Sequence, residues 1–162
     1  MKSKIITLLI SLLCAVKMSN DHHKAWVRRR LSSVHSTLEG VVVVVWGLTY
    51  KADTDTLRRS LAVETCHWLL EQGAVVRVHD ARVPQLPHEW AGRVTRFDDP
   101  LASLAGADVL VIGTESPEYR AITGTSVAAA APALLVLDAN GYLASWKIHR
   151  ALRYLAVGTP FP

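Results

Sequence analysis

Residues 41–60, VVVVVWGLTYKADTDTLRRS, pass from five consecutive valines through Trp46 and Gly47 into a polar stretch carrying Lys51, Arg58 and Arg59. β-Branched side chains pack well on a pleated surface, and a continuous apolar run is what a strand covered on both faces requires. Residues 41–46 therefore read as a buried strand of a parallel sheet and the polar stretch as a loop. Ser60 reads as the N-cap of a helix through Gln72. Ala62, Val63, Cys66, Leu69 and Leu70 form one face of that helix, Glu64, His67 and Glu71 the other. Gly73 stands where a glycine commonly ends a helix.

The same alternation continues outward. AVVRVHD (74–80) is a second strand, the segment holding Pro84 and Pro87 a loop, RVTRF (93–97) a short strand and DPLASLAGA (99–107) a short helix. DVLVIGT (108–114) is another buried strand, and SPEYRAI (116–122) a helical turn. SVAAAAP (126–132) is a helix stopped by Pro132, ALLVLDANG (133–141) a strand and turn, and YLAVG (154–158) the last strand. Strands separated by helices imply βαβ units, hence an α/β fold with a doubly wound, mostly parallel, Rossmann-like sheet and an N-terminal helix in front of it. Ligands of such sheets bind beyond the carboxyl ends of the strands, which directs attention to the loops after Trp46, His79, Gly113 and Leu137.

Composition narrows the ligand class. The chain has 162 residues, half of them apolar and a fifth charged, enough for one domain with a short appendage. A net charge of +4 mildly favours anionic ligands. The dense basic run Arg28-Arg29-Arg30 reads as a solvated helix face, and with no zinc-finger, RNP or basic-zipper pattern no nucleic-acid partner is expected. Cys14 and Cys66 lie in no metal or redox spacing and read as reduced, mostly buried thiols. There is no HExxH among the seven histidines, and His22 and His23 are expected on different sides of a helix, so no metal is expected.

MKSKIITLLISLLCAVK, residues 1–17, has the outline of a secretory signal, yet its apolar run is too short to span a bilayer and no small-residue cleavage site follows. The competing reading is an amphipathic helix with Leu9, Leu12, Leu13, Val16, His23, Trp26, Val27 and Arg30 on one face. It is preferred, and implies packing on a neighbouring domain or subunit, with no membrane partner.

The loop after Trp46 is neither of the two common phosphate cradles: Gly47 stands alone where GxGxxG needs three glycines, and Lys51 follows Tyr50 with no Ser or Thr next. Lys51 offers a mobile point charge and Arg58 a planar fork suited to a diphosphate, while Asp53 and Asp55 are placed to pair with them. An anion site and a salt-bridged surface loop both fit. Asp80 ends a strand where an acidic residue can bind a ribose hydroxyl. Thr114-Glu115 and Asp138–Asn140 sit at strand ends on the same side, and no catalytic triad follows from spacing.

GLTYKADTDTLRRS (47–60) resembles the motif that opens the C-terminal, UDP-binding domain of the UDP-glucose and GDP-mannose dehydrogenase family, with glycine, aromatic, lysine, threonine, arginine and serine at family spacing. The resemblance extends through LLEQGAVVRVHDARV, GADVLVIGTESPEYR, LVLDANGYL and the terminal YLAVGTPFP, and Asn20 stands at a family position. It implies an NAD-dependent oxidoreductase that converts the C6 hydroxyl of a nucleotide sugar, of UDP-glucose type, to a carboxylate. By position it implies Tyr50 and Lys51 as substrate-binding residues, Arg58 as the cofactor-binding residue at the NAD diphosphate, and Ser60 as structural.

Residues 1–38 then resemble the end of the family's central dimerisation domain, and residues 39–162 the nucleotide-sugar-binding domain. A homo-oligomer associating through the N-terminal helix and a cytoplasmic location are expected. The family's NAD fingerprint and its cysteine in a glycine-rich segment have no counterpart in these residues. The chain is accordingly expected to be a truncated one, inactive alone, with a stand-alone nucleotide-sugar-binding or oligomerisation module as the alternative. Thr56 stands where the family carries a second acidic residue, Arg59 where it carries glutamate, and Asn140 where many members carry a basic residue.

Overall fold

The computed structural model describes residues 2–159 apart from Asp53, and for residues 2–9 the backbone only. Two helices, α1 (Lys2–Lys24) and α2 (Trp26–Val34), precede a six-stranded sheet built from β1 (Val42–Trp46), β2 (Val75–His79), β3 (Val94–Arg96), β4 (Val109–Ile112), β5 (Leu135–Leu137) and β6 (Arg153–Leu155). The connecting helices are α3 (Leu61–Glu71), α4 (Pro100–Ser103), α5 (Pro117–Arg120) and α6 (Gly124–Ala130). The strand order is β3-β2-β1-β4-β5-β6 and every pairing is parallel. The winding direction reverses between β1 and β4, so their carboxyl ends form the switch point of the sheet.

The valine run is explained by what covers it. Val43 and Val45 face one apolar core with α2 and α3, where they meet Leu31, Cys66 and Leu69; Val44 and Trp46 face a second core with Leu110, Tyr119, Val127 and Trp146. Alternate residues of β1 enter opposite cores, so no position on the strand is left for a polar side chain. The Ser60 hydroxyl caps α3 by accepting from the Val63 N–H at 3.4 Å, and Gly73 takes φ 78° just beyond the helix. Thr65 lies within the buried face of α3, its hydroxyl donating to the Leu61 carbonyl, and His67 is half-buried edge-on to the Trp90 ring. The last strand falls at 153–155, earlier than the expected 154–158.

The amphipathic face read across residues 9–30 does not form as one surface. Ala25 interrupts the helix; Trp26, Val27 and Leu31 of α2 join the sheet's core, while Leu12, Leu13 and Val16 of α1 stay exposed at 61%, 69% and 56%; the side chain of Leu9 lies outside the described residues. Cys14, expected to be mostly buried, is exposed on the same helix; Cys66 is buried. The arginine run is only partly a solvated face. Arg28 donates to the Glu64 carbonyl and lies over the Trp68 ring, and Arg30 lies over Trp26. No described helix is long and apolar enough to cross a membrane.

Candidate functional site

The switch point is held open by two glycines. Gly47 follows β1 with φ 84°, and a Cβ there would stand 2.6 Å from both Cβ and N of Thr114; a Cβ on Gly113 would collide with the Gly47 carbonyl oxygen. Only bare backbone lets the β1 and β4 exits lie so close. The Gly47 N–H donates to the His79 carbonyl and the Gly113 N–H to the Trp46 carbonyl, each at 2.8 Å.

Asp80 fixes the start of the loop. Its buried carboxylate accepts from the N–H groups of Leu48 at 2.6 Å and Thr49 at 3.2 Å through one oxygen, and from Arg82 N–H at 2.8 Å through the other. With both oxygens engaged by backbone, Asp80 is a brace and not the ribose ligand its strand-end position suggested. The Thr114 hydroxyl donates to the Thr49 carbonyl at 2.5 Å. Behind this, the Tyr119 hydroxyl donates to the His79 carbonyl and contacts His79 Nδ1, both at 3.0 Å, while its ring stacks 5.0 Å from Trp46. Burial lowers the His79 pKa and raises that of Tyr119, so both are held neutral.

Beyond the brace the loop turns outward. The Tyr50 N–H donates to the Thr56 carbonyl at 2.8 Å, the Thr54 hydroxyl to the Lys51 carbonyl at 2.8 Å, and the Ser60 N–H to the Leu57 carbonyl at 3.0 Å. Arg59 takes φ 62°, a left-handed conformation uncommon for a residue with a Cβ. Tyr50, Thr56, Arg58 and Arg59 surround a hollow of about 320 Å³. Tyr50 is 56% exposed, and the Lys51 ammonium lies 5.9 Å from the centre of its ring. Tyr50 and Arg58 thus share one hollow, with Lys51 against its aromatic wall and not among the residues lining it.

Among the described residues Asp55 makes no ion pair with Lys51 or Arg58, so the salt-bridged loop is not formed by that residue; Asp53 lies outside the described residues. At the other strand ends the polar groups are engaged. Asp138 is buried, accepting from the Leu143 N–H at 2.7 Å and from the Tyr154 hydroxyl, and the Asn140 amide donates to the Glu115 carboxylate at 2.7 Å.

A second hollow, of about 530 Å³, adjoins the first and draws Asn20 and Lys24 from α1 and Glu64 from α3 toward the exit of β4. Sequence reading had no means of finding it, because its walls are distant in the chain. His22 and His23, expected on different sides of α1, both line a further hollow with Arg29 and Val157. Among the described residues no three His, Cys, Asp or Glu side chains are grouped to hold a metal ion.

A doubly wound parallel sheet with a cationic, glycine-bared crevice at its switch point defines the class: a nucleotide-binding α/β domain. Residues 44–145 match the UDP-binding domain of the UDP-glucose/GDP-mannose dehydrogenase family, and the chain belongs to that family. It is 30% identical to a UDP-glucose 6-dehydrogenase of Pseudomonas aeruginosa over 163 residues, covering 92% of this chain and 35% of that protein. It is 27% identical to the enzyme of that name from Rhizobium meliloti, covering 90% of this chain and 33% of the relative. The chain therefore spans about a third of the length of these relatives.

Among solved structures, a UDP-glucose dehydrogenase from Pyrobaculum islandicum superposes with a TM-score of 0.62 at 30% identity, over 76% of this chain and 27% of that one. An NDP-N-acetyl-D-galactosaminuronic acid dehydrogenase from Methanosarcina mazei superposes with a TM-score of 0.70 over 85% of this chain and 29% of that one; at 19% identity it speaks for the fold alone.

Proposed function

We propose that the chain is the C-terminal, nucleotide-sugar-binding domain of an NAD-dependent 6-dehydrogenase of UDP-glucose type. The observation that carries the reading is the hollow at the exit of β1, where Tyr50, Arg58 and Arg59 converge beside Lys51 within the segment that matches the family. Tyr50 and Lys51 bind the substrate: the ammonium is mobile enough to follow a phosphate, and the half-exposed ring offers an apolar face to a sugar or base.

Arg58 contacts the diphosphate of NAD. An exposed guanidinium in a hollow that, among the described residues, is lined by no carboxylate fits a diphosphate oxygen pair, so the residues present suit that group. With one glycine in place of three the chain offers the cofactor a single contact and no cradle. When bound, NAD supplies the hydride acceptor; what this chain contributes is charge that orients phosphates and an aromatic wall that limits water at the rim.

Neither cysteine suits the nucleophile that oxidation to the acid requires. Cys66 is buried on the core face of α3 with its thiol pushed up to about 12, and Cys14 lies on an exposed face of α1. These 162 residues alone therefore reduce no NAD with UDP-glucose. Residues 1–38 act as the end of the family's central dimerisation segment, and the exposed Leu12, Leu13 and Val16 supply the surface for a homo-oligomer. The reading carries a cytoplasmic location with it.

Titration calorimetry of the purified chain with UDP, UDP-glucose and GDP-mannose tests the reading. Heat of binding with the uridine compounds, reduced in Lys51→Ala, supports it; flat traces with all three in both proteins contradict it.

A further inference from the structure

A face of α1 distinct from the one that carries Asn20 and Lys24 opens on a hollow of about 580 Å³ that the proposed function does not use. Ser19, His22, Trp26, Arg29 and Ser33 recur every three or four residues, so they form one stripe along α1 and α2, flanked by His23 and Arg30. Val157 and Gly158, just beyond β6, form the facing wall. The stripe runs through the break at Ala25, so neither helix builds the hollow alone. All of these residues lie outside the segment 44–145 that matches the family's UDP-binding domain.

Two guanidiniums, two imidazoles and two hydroxyls meet there, and among the described residues no carboxylate lines the hollow. Asp21, the acidic residue beside them in sequence, is paired with Lys17 at 3.4 Å. Such a set offers donors in excess of acceptors, which suits an oxyanion. It does not suit a cation: among the described residues no third His, Cys, Asp or Glu stands with the two imidazoles to hold a metal ion. Arg29 is already oriented, because its Nη1 donates to the His22 carbonyl at 2.7 Å across the helix break, which uses one N–H of its planar fork. Arg30 lies over the ring of Trp26, itself buried, so this cation sits against an apolar base where charge is screened less than in open water.

We infer that this hollow binds a dianionic phosphate, free or as a monoester, at a site separate from the crevice after β1. The guanidinium of Arg29 takes a pair of phosphate oxygens and Arg30 adds its charge, while ring N–H groups of His22 and His23 and the hydroxyls of Ser19 and Ser33 donate to the oxygens that remain. Phosphate held there ties α1 to α2 and both to the segment after β6. None of these groups belongs to the loop after β1, so the site is independent of the proposed function.

The test follows the Arg29 and Arg30 side-chain N–H signals and the His22 and His23 ring signals of the full 162-residue chain by NMR. Inorganic phosphate or glycerol phosphate is added at constant pH, with sodium chloride of equal ionic strength as the control. Wild type, Arg29→Gln, the double variant His22→Gln/His23→Gln and Lys51→Ala are compared. Arg29, His22 and His23 are exposed, so their replacement leaves the core packed, which thermal unfolding checks. The expected result is saturating shifts with phosphate in wild type and in Lys51→Ala, and affinity about three- to tenfold weaker in Arg29→Gln and in the double variant. Tighter binding of glycerol phosphate than of free phosphate identifies a monoester as the ligand, and the reverse identifies the free ion. Shifts that sodium chloride reproduces, that never appear, or whose affinity is the same in Arg29→Gln and the double variant as in wild type overturn the site. Shifts lost in Lys51→Ala but kept in Arg29→Gln assign the phosphate to the loop after β1 and overturn it as well.

Discussion

The Asp80 carboxylate accepts the Leu48 N–H at 2.6 Å, tying the end of β2 to the first turn of the loop that follows β1. Both ends of this contact are buried, and the same carboxylate also serves Thr49 and Arg82. Removing it strands buried N–H groups away from water. Asp80→Ala is expected to cost about 2–4 kcal/mol, since hydrogen bonds to a charged group are among the stronger ones and the orphaned donors add their own penalty. Urea unfolding checks this, and Asp80→Asn should recover part of the loss.

Gly47 and Gly113 face each other where the strands leave the sheet, and neither tolerates a Cβ. Gly47→Ala combines a positive φ with contacts at 2.6 Å to Thr114 backbone and side-chain atoms that cannot move independently. A loss of about 2 kcal/mol or more is expected from the backbone conformation and overpacking together. Gly92, with φ 71° and open space around it, is the control: Gly92→Ala should cost only about 1 kcal/mol, the conformational part.

His79 gives the domain an acid sensitivity. Burial lowers its pKa below the ordinary 6.5; Glu118, a backbone contact at Asp98 and Asp80 act in the opposite sense, and Arg96 acts with burial. The unfolded chain thus binds a proton that the folded chain resists, so stability is full above the unfolded pKa and declines as pH falls below about 6.5 until the folded value is passed. Denaturant midpoints measured from pH 7.5 to 5 should fall, with a shallower slope in His79→Gln, which cannot take up the proton.

Arg59→Gly should raise stability. Relief of the left-handed conformation is worth about 1–2 kcal/mol, offset in part by the greater freedom of glycine in the unfolded chain, for a net gain of about 0.5–1 kcal/mol. Thermal unfolding reads the gain directly. A more stable protein with weaker diphosphate binding would show that stability was given up for the ligand at this position.

The two cysteines should separate by reactivity. Cys14 is exposed on α1, while the Cys66 thiol is buried and pushed up to about 12. At neutral pH a thiol-specific reagent should modify one equivalent rapidly and the second only after denaturant is added. Loss of the fast phase in Cys14→Ser assigns it.

The sheet was legible because its signal is local and doubled. Each of Val43 to Trp46 is buried, so the apolar run had no polar gap that could suggest a helix face, and Ser60 and Gly73 mark the two ends of α3 with side-chain and backbone chemistry that belongs to those residues alone. The loop cations and their aromatic neighbour were legible for the same reason: Tyr50, Lys51, Arg58 and Arg59 lie within one short segment. Less was visible where the outcome depends on a partner far away in sequence. Asp80 looked like a ligand at a strand end until Leu48 and Thr49 were found on it. The amphipathic pattern through residues 9–30 could not reveal the break at Ala25, because only the packing of Trp26 and Leu31 into the core ends the shared face. The second hollow needed α1, α3 and two strand ends together.

The central claim, that the rim at the end of β1 binds the substrate diphosphate through Lys51 and leaves Arg58 for the diphosphate of NAD, is tested most directly by UDP affinity in wild type, Lys51→Ala and Arg58→Ala at low and high salt. For an exposed charge-assisted contact a loss of about three- to tenfold is expected in Lys51→Ala, a smaller change in Arg58→Ala, and weaker wild-type binding as salt is raised. UDP bound with equal affinity by wild type and Lys51→Ala, insensitive to salt, would contradict it.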